Sequence, residues 1–118
     1  MRREDAVSPA LKLWQAEWCL SSHRVRQRLT ELGLAFVAHQ VPVERSERRA
    51  LRQATGDTTI PALEADGAIL IGEEAILTHL NRHFAEPADA QQQRAKAIKA
   101  KQKELEQACP EFTATATR

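Results

Sequence analysis

Strand-like and helical patterns alternate along this chain in an order that few folds accommodate. A short apolar run at 11–14 is followed by apolar residues at helical spacing over 25–32, and Gly33 stops that helix. A second strand at 36–43 and a charged helical stretch at 44–54 repeat the same order. The first half of the chain is therefore predicted as two strand–helix units.

The second half has a hairpin pattern. Apolar runs at 60–63 and 69–71 flank the dipeptide Asp66-Gly67, which favours a tight turn between antiparallel strands. A helix follows from Glu73 and is closed by Pro87. Since a helical crossover makes its two strands parallel, the chain is predicted as α/β, with a mixed four-stranded sheet and flanking helices.

The ends of the chain differ from its centre in composition. Residues 1–10 are mostly charged or polar and are predicted to form a flexible N-terminus before a domain at 11–87. Residues 88–118 predict a helix to about Ala108, with mostly alanine on its apolar side, and then a disordered tail that includes Thr113.

Charge and hydropathy exclude several classes of function. The 118 residues carry 17 Lys and Arg against 16 Asp and Glu, so no large basic field is available for nucleic acid or an anionic membrane. No apolar run is long enough for a membrane span or a secretion signal, and we expect a cytoplasmic protein. Cys19 and Cys109 are the only cysteines and do not form a disulfide framework.

Cys19 lies where the first strand gives way to the first helix. The helix is predicted to begin at about Ser21 or Ser22, and either serine can cap it. Unpaired N–H groups and the helix dipole then favour the thiolate of Cys19, and Arg24 can add a positive field. The sequence therefore predicts a nucleophilic cysteine, with a small buried cysteine as the alternative.

Thr59-Ile60-Pro61 stands at the start of the third strand. A proline is tolerated there, and a cis bond before it would leave the Ile60 backbone open to an extended, peptide-like ligand. The alternative is a proline that merely begins an edge strand.

Five stretches of this sequence occur in the order of a known family. Over about residues 11–84 the chain resembles the glutaredoxin-like, glutathione transferase N-terminal group of thioredoxin-fold proteins. The matching stretches are 13–14, 18–26, 32–33, 59–63 and 72–77. The resemblance implies a thioredoxin-like fold and a thiol–disulfide site at Cys19. It also implies a cis Pro61, contact between Ile60 and the cysteinyl part of glutathione, and γ-glutamyl recognition near Glu73.

The sequence departs from that pattern at three positions. Ser22 replaces the second cysteine of dithiol members, which leaves only a monothiol cycle through a mixed disulfide. Leu20 replaces the usual proline. Glu73 stands where transferase relatives often carry a serine facing the γ-glutamyl carboxylate; its charge would oppose that carboxylate and could pair with the ammonium of the same group. After Pro87 there is room for one helix and a tail, so a conventional conjugating enzyme is not expected.

These observations predict a monothiol glutaredoxin-like thiol–disulfide oxidoreductase, with glutathione or another small thiol as co-substrate and no bound cofactor or metal. The oxidised protein substrate is unknown and a homodimer is possible. The alternatives are a non-catalytic binding or adaptor module and, third, iron–sulfur cluster sharing between two subunits. The predicted site residues are Cys19, Ser22 and Arg24 for catalysis, and Thr59, Ile60, Pro61, Glu73 and Glu74 for the ligand.

Other polar residues carry weaker signals. Arg45, Arg48 and Arg52 alternate with glutamates and are interpreted mainly as a solvated helix face. His23 is expected to be exposed. Cys109 could resolve a mixed disulfide, but it lies beyond the predicted last helix and is expected to be a bystander.

Overall fold

A single mixed sheet organises the molecule. The computed structural model describes residues 10–116, with side chains up to Gln107; the flexible N-terminus predicted for 1–10 lies outside this range except for Ala10. The strand order is β2-β1-β3-β4, with β1 parallel to β2 and the other two pairings antiparallel. The predicted α/β fold with a mixed four-stranded sheet is confirmed; its strands are β1 (Leu11–Gln15), β2 (Val37–Gln40), β3 (Ala62–Ala65) and β4 (Ala68–Ile71).

Helices cover both faces of the sheet, and they are α1 (Leu20–Glu31), α2 (Arg49–Thr55), α3 (Glu73–His83) and α4 (Ala90–Ala116). The helix predicted over 44–54 is divided into a 3₁₀ turn at Arg45–Glu47 and α2. Arg48 separates the two because its backbone (φ −88°, ψ 56°) is not helical.

Alternation along β1 separates two hydrophobic clusters. Leu13 packs on one face of the sheet with residues of α1 and α3, whereas Trp14 packs on the other face with Leu51 of α2. Cys19 and Ile60 lie at the edge of the second cluster. The fold therefore brings these two residues to one end of the same packed group.

The predicted hairpin turn is confirmed. Asp66 and Gly67 both have positive φ, at 49° and 90°, as a type I′ turn between β3 and β4 requires. The turn fixes the register of β4, and β4 leads directly to the N-terminus of α3.

Helix α4 continues past the end expected from the sequence. The predicted helix ends near Ala108, whereas the backbone stays helical to Ala116 and includes Thr113, which was expected in a disordered tail. Pro110 lies within this helical stretch, although a proline there cannot donate a hydrogen bond to the carbonyl four residues earlier. Within residues 10–116 no helix is both long and apolar enough to cross a bilayer.

Four charged side chains fasten α4 to the domain. Arg94 of α4 and Arg28 of α1 each contact both Glu31 and Glu86 at 2.6–3.0 Å. Hydrogen bonds from Arg94 and then Arg28 lower the pKa of Glu86 to about 2. Burial raises the pKa of Glu31, but hydrogen bonds from Gln27, Arg28 and Arg94 together lower it by more than burial raises it. The pKa of Glu31 is therefore below its ordinary value.

This network predicts acid-dependent stability. The pKa of Glu86 is lower in the folded chain than its ordinary 4.5, so its contribution is complete above pH 4.5 and is lost as pH falls toward 2. Thermal unfolding followed by circular dichroism should show Glu86→Gln less stable than the parent from pH 7 to 5. The difference should shrink below pH 4.5, and a difference that stays constant to pH 3 would contradict the assignment.

Candidate thiol site

Cys19 is itself the N-cap of α1. Its backbone is extended (φ −91°, ψ 120°), and its Sγ accepts a hydrogen bond from the Ser22 N–H at 3.4 Å. The thiol is half-buried against the second cluster. An N–H group aimed at the sulfur and the positive end of the helix dipole both favour negative charge on Sγ.

The predicted cap by Ser21 or Ser22 is wrong. The Ser22 hydroxyl is fully buried and accepts the N–H of Ala16 at 3.3 Å, so it is committed to the turn that follows β1. Cys19 takes the capping position because α1 begins at Leu20, one residue before Ser21. Ser22 thus serves Cys19 through its backbone N–H, while its side chain holds the loop.

Arg24 forms an ion pair that the sequence did not reveal. Its guanidinium donates two hydrogen bonds to the Glu73 carboxylate, at 2.6 and 2.9 Å, and a third to the Ser21 hydroxyl at 3.3 Å. The hydrogen bond from Arg24 lowers the pKa of Glu73. The same bond raises the pKa of Arg24, and negative charge on Cys19 acts in the same direction. Arg24 and Glu73 therefore join α1 to the first turn of α3 beside Cys19.

Ile60 and Pro61 lie immediately before β3. The bond between them is cis, as predicted. Pro61 is buried and its carbonyl accepts the Gly72 N–H at 2.8 Å. Ile60 packs on the same cluster as Cys19, and its N–H and C=O have no hydrogen-bond partner within the described part of the chain. The Ile60 backbone is therefore free to bind a ligand at the cluster that Cys19 also contacts.

Arg48 supports the segment that precedes Ile60. The interpretation of Arg48 as part of a solvated face is wrong: it is buried, and its guanidinium donates to the carbonyls of Pro42, Val43 and Thr58 at 2.8–2.9 Å. No local pattern distinguishes it from the exposed Arg49 beside it. Only the return of the chain at Thr58 gives this side chain its acceptors.

Thr59 and Glu74 occupy different surroundings from Cys19. The Thr59 hydroxyl accepts from Arg45 at 3.1 Å and donates to Asp57 at 3.3 Å, so it braces the loop before Ile60. Glu74 is exposed and lines a separate groove on the outer side of α3, next to His79. Of the residues predicted for the ligand, Ile60 and Pro61 lie at the thiol end, and Glu73 is linked to it through Arg24.

A groove of about 220 Å³ opens at the thiol. Besides Cys19, it is lined by Glu17, Trp18, Leu20, His23, Arg26 and Lys101. Trp18 is 55% exposed and Leu20 is 64% exposed, so apolar surface borders the sulfur. Lys101 comes from α4, and sequence reasoning missed it because its proximity depends entirely on how that helix docks.

Solved structures share this fold. A trimeric glutathione transferase from Leishmania aligns at 24% identity and a TM-score of 0.58, over 67% of this chain and 18% of its own. A possible glutathione transferase from Rhodopseudomonas palustris aligns at 28% and 0.55, over 75% and 48%. A buckwheat glutaredoxin–glutathione complex aligns at 22% and 0.52, over 63% and 69%. This chain thus spans less than half of either transferase.

The sequence comparisons agree with the fold. The search of curated proteins found no match to this chain. The model of the glutathione S-transferase N-terminal domain matches residues 13–88, which include Cys19, Pro61 and Glu73 and make up more than half of the chain. This chain belongs to the glutathione S-transferase N-terminal domain family.

Proposed function

We propose that the chain is a monothiol glutaredoxin-like oxidoreductase that works through a mixed disulfide on Cys19. The observation that carries the proposal is the position of Sγ, which caps α1, receives the Ser22 N–H and opens to a groove. A half-buried sulfur in such a position is accessible to a disulfide and is stabilised as the thiolate that attacks it.

The reaction needs one cysteine and two exchange steps. The Cys19 thiolate attacks one sulfur of a disulfide between a protein and a small thiol, forming the Cys19 mixed disulfide and releasing the protein thiolate. A second small thiolate then attacks the small-thiol sulfur, releasing the Cys19 thiolate and a small-molecule disulfide. Ser22 cannot resolve the intermediate, so each cycle consumes one equivalent of free small thiol, and the other half of the released disulfide comes from the substrate.

Glutathione is the small thiol that we propose. The free N–H and C=O of Ile60 can pair with the peptide groups of an extended thiol, as a neighbouring strand would. Among the structures that share the fold is a glutaredoxin in complex with glutathione. The Arg24–Glu73 pair offers both signs of charge to a zwitterionic end group.

An adaptor role is the second candidate. The observation that favours it is the engagement of Arg24 by Glu73, because a paired guanidinium contributes less positive field at the sulfur than a free one. In that case Cys19 would be present but unreactive, and the fold would serve as a binding module.

Incubation with oxidised glutathione separates the two candidates. Intact-mass and peptide analysis should show one glutathione adduct on Cys19 in the parent and in Cys109→Ser, and none on this peptide in Cys19→Ser. Iodoacetamide labelling of the unfolded chain provides a control for thiol content. Modification of Cys109 alone would leave the adaptor as the better account.

A further inference from the structure

We infer that the Cys19 groove selects disulfides that carry negative charge, and that Lys101 of α4 is the residue that sets this preference. The inference rests on the proposed function, because it names the class of disulfide that the same thiol accepts. It goes beyond that function by giving a site role to a helix outside the 13–88 match.

The charges at the groove mostly cancel in pairs. Arg26 lies 3.5 Å from Glu17, and the two share the groove wall. Arg24, two residues before Arg26 in α1, is paired with Glu73. Lys101 forms no ion pair with any side chain that the structure describes, although it lines the same groove as Cys19. Among the Lys, Arg, Asp and Glu side chains that line this groove in the described part of the chain, Lys101 is therefore the one without an ion-pair partner.

The position of Lys101 follows from the way α4 is anchored. Arg94 lies seven residues earlier, which places the two side chains about two turns apart on the same face of the helix. Arg94 contacts Glu31 and Glu86, and the next turn, with Ala97 and Ile98, forms a shallow groove against His23 and Gln27 of α1. The ion-pair network thus directs the Lys101 side of α4 toward the start of α1.

The chemistry of the rim completes the description of the ligand. Trp18 and Leu20 present apolar surface on either side of the sulfur in the chain, while Lys101 and the N-terminus of α1 supply positive potential. A disulfide with a carboxylate a few bonds from its sulfur places that charge near Lys101 during the attack. A disulfide with an ammonium at the same distance is repelled.

Three small disulfides of similar size test the inference. In the Cys109→Ser background, second-order rates of Cys19 modification are measured at low ionic strength with anionic 3,3′-dithiodipropionate, neutral bis(2-hydroxyethyl) disulfide and cationic cystamine. Lys101→Glu should lower the ratio of the anionic rate to the neutral rate by about threefold and raise the ratio of the cationic rate to the neutral rate by about threefold, as expected for one nearby charge reversed in water. Added salt should reduce both effects.

Lys103→Glu is the matched control, since Lys103 is an exposed residue of the same helix and does not line the groove. It makes the same change in net charge and should alter each ratio by less than a third of the Lys101→Glu effect. Equal effects of the two variants, or no effect of Lys101→Glu in a folded protein checked by circular dichroism, would overturn the inference. Failure of the neutral disulfide to modify parent Cys19 would instead refute the proposed function.

Discussion

Replacement of Cys19 by serine should abolish exchange. Turnover of a glutathione mixed disulfide should fall by about three orders of magnitude or more, because the substitution removes the covalent route itself. A serine hydroxyl keeps the capping geometry at the start of α1, since serine is a favoured N-cap residue. The fold should therefore survive while the chemistry is lost. Turnover is measured from formation of oxidised glutathione in a coupled assay.

Cys109→Ser supplies the control for that experiment. Its turnover should stay within about twofold of the parent, since the proposed cycle uses one cysteine. Cys109 belongs to α4, and its side chain lies outside the described residues. A large loss in Cys109→Ser together with a disulfide between Cys19 and Cys109 on a non-reducing peptide map would replace the monothiol cycle with a dithiol one.

Arg48→Ala should lower the stability of the folded chain more than alanine replacement of its exposed neighbour Arg49 does. It removes three hydrogen bonds to backbone carbonyls and leaves these acceptors without that donor, so we expect the free energy of unfolding to fall by about 2–4 kcal/mol. Arg48→Lys should recover only part of this, because an ammonium cannot reproduce the planar fork. Urea unfolding followed by circular dichroism measures the difference.

Arg49→Ala is the matched control for Arg48. Arg49 is exposed and begins α2 next to it, so its replacement should change the free energy of unfolding by about 0.5 kcal/mol or less. Equal effects of the two alanine variants would show that Arg48 does not hold the loop. Arg48→Ala should also slow Cys19 exchange in the folded fraction, because Thr58 leads directly to Ile60 and Pro61.

Local patterns predicted most of the architecture. The apolar run at 11–14, the Asp66-Gly67 turn and the stop at Gly33 are signals that lie within a few residues, and the strands and first helix agree with them. Arg48 could not be recognised in this way, because its acceptors at Val43 and Thr58 come together only in the folded chain.

Part of the candidate site could also be predicted from local sequence. Cys19 could be identified from the strand-to-helix transition around it, and Ile60 from the proline that follows. The pairing of Arg24 with Glu73 spans 49 residues, and Lys101 reaches the groove only through the docking of α4. The N-cap was predicted to be a serine because serine is a preferred N-cap residue and cysteine is not. In the structure the Cys19 sulfur accepts the N–H bond instead.

Cys19 couples the formation of the first turn of α1 to the proposed disulfide exchange. The same sulfur atom accepts one of the N–H groups at the start of α1 and, in the proposed cycle, exchanges its bond partner. The thiolate that performs the proposed exchange is a stronger acceptor for the Ser22 N–H than the sulfur of a mixed disulfide is, so formation of that disulfide should weaken the first turn of α1. By thermodynamic reciprocity, whatever stabilises that turn favours the reduced chain, and whatever frays it favours the oxidised one. In the proposed cycle, the reduction potential of Cys19 therefore depends in part on the stability of the first turn of α1.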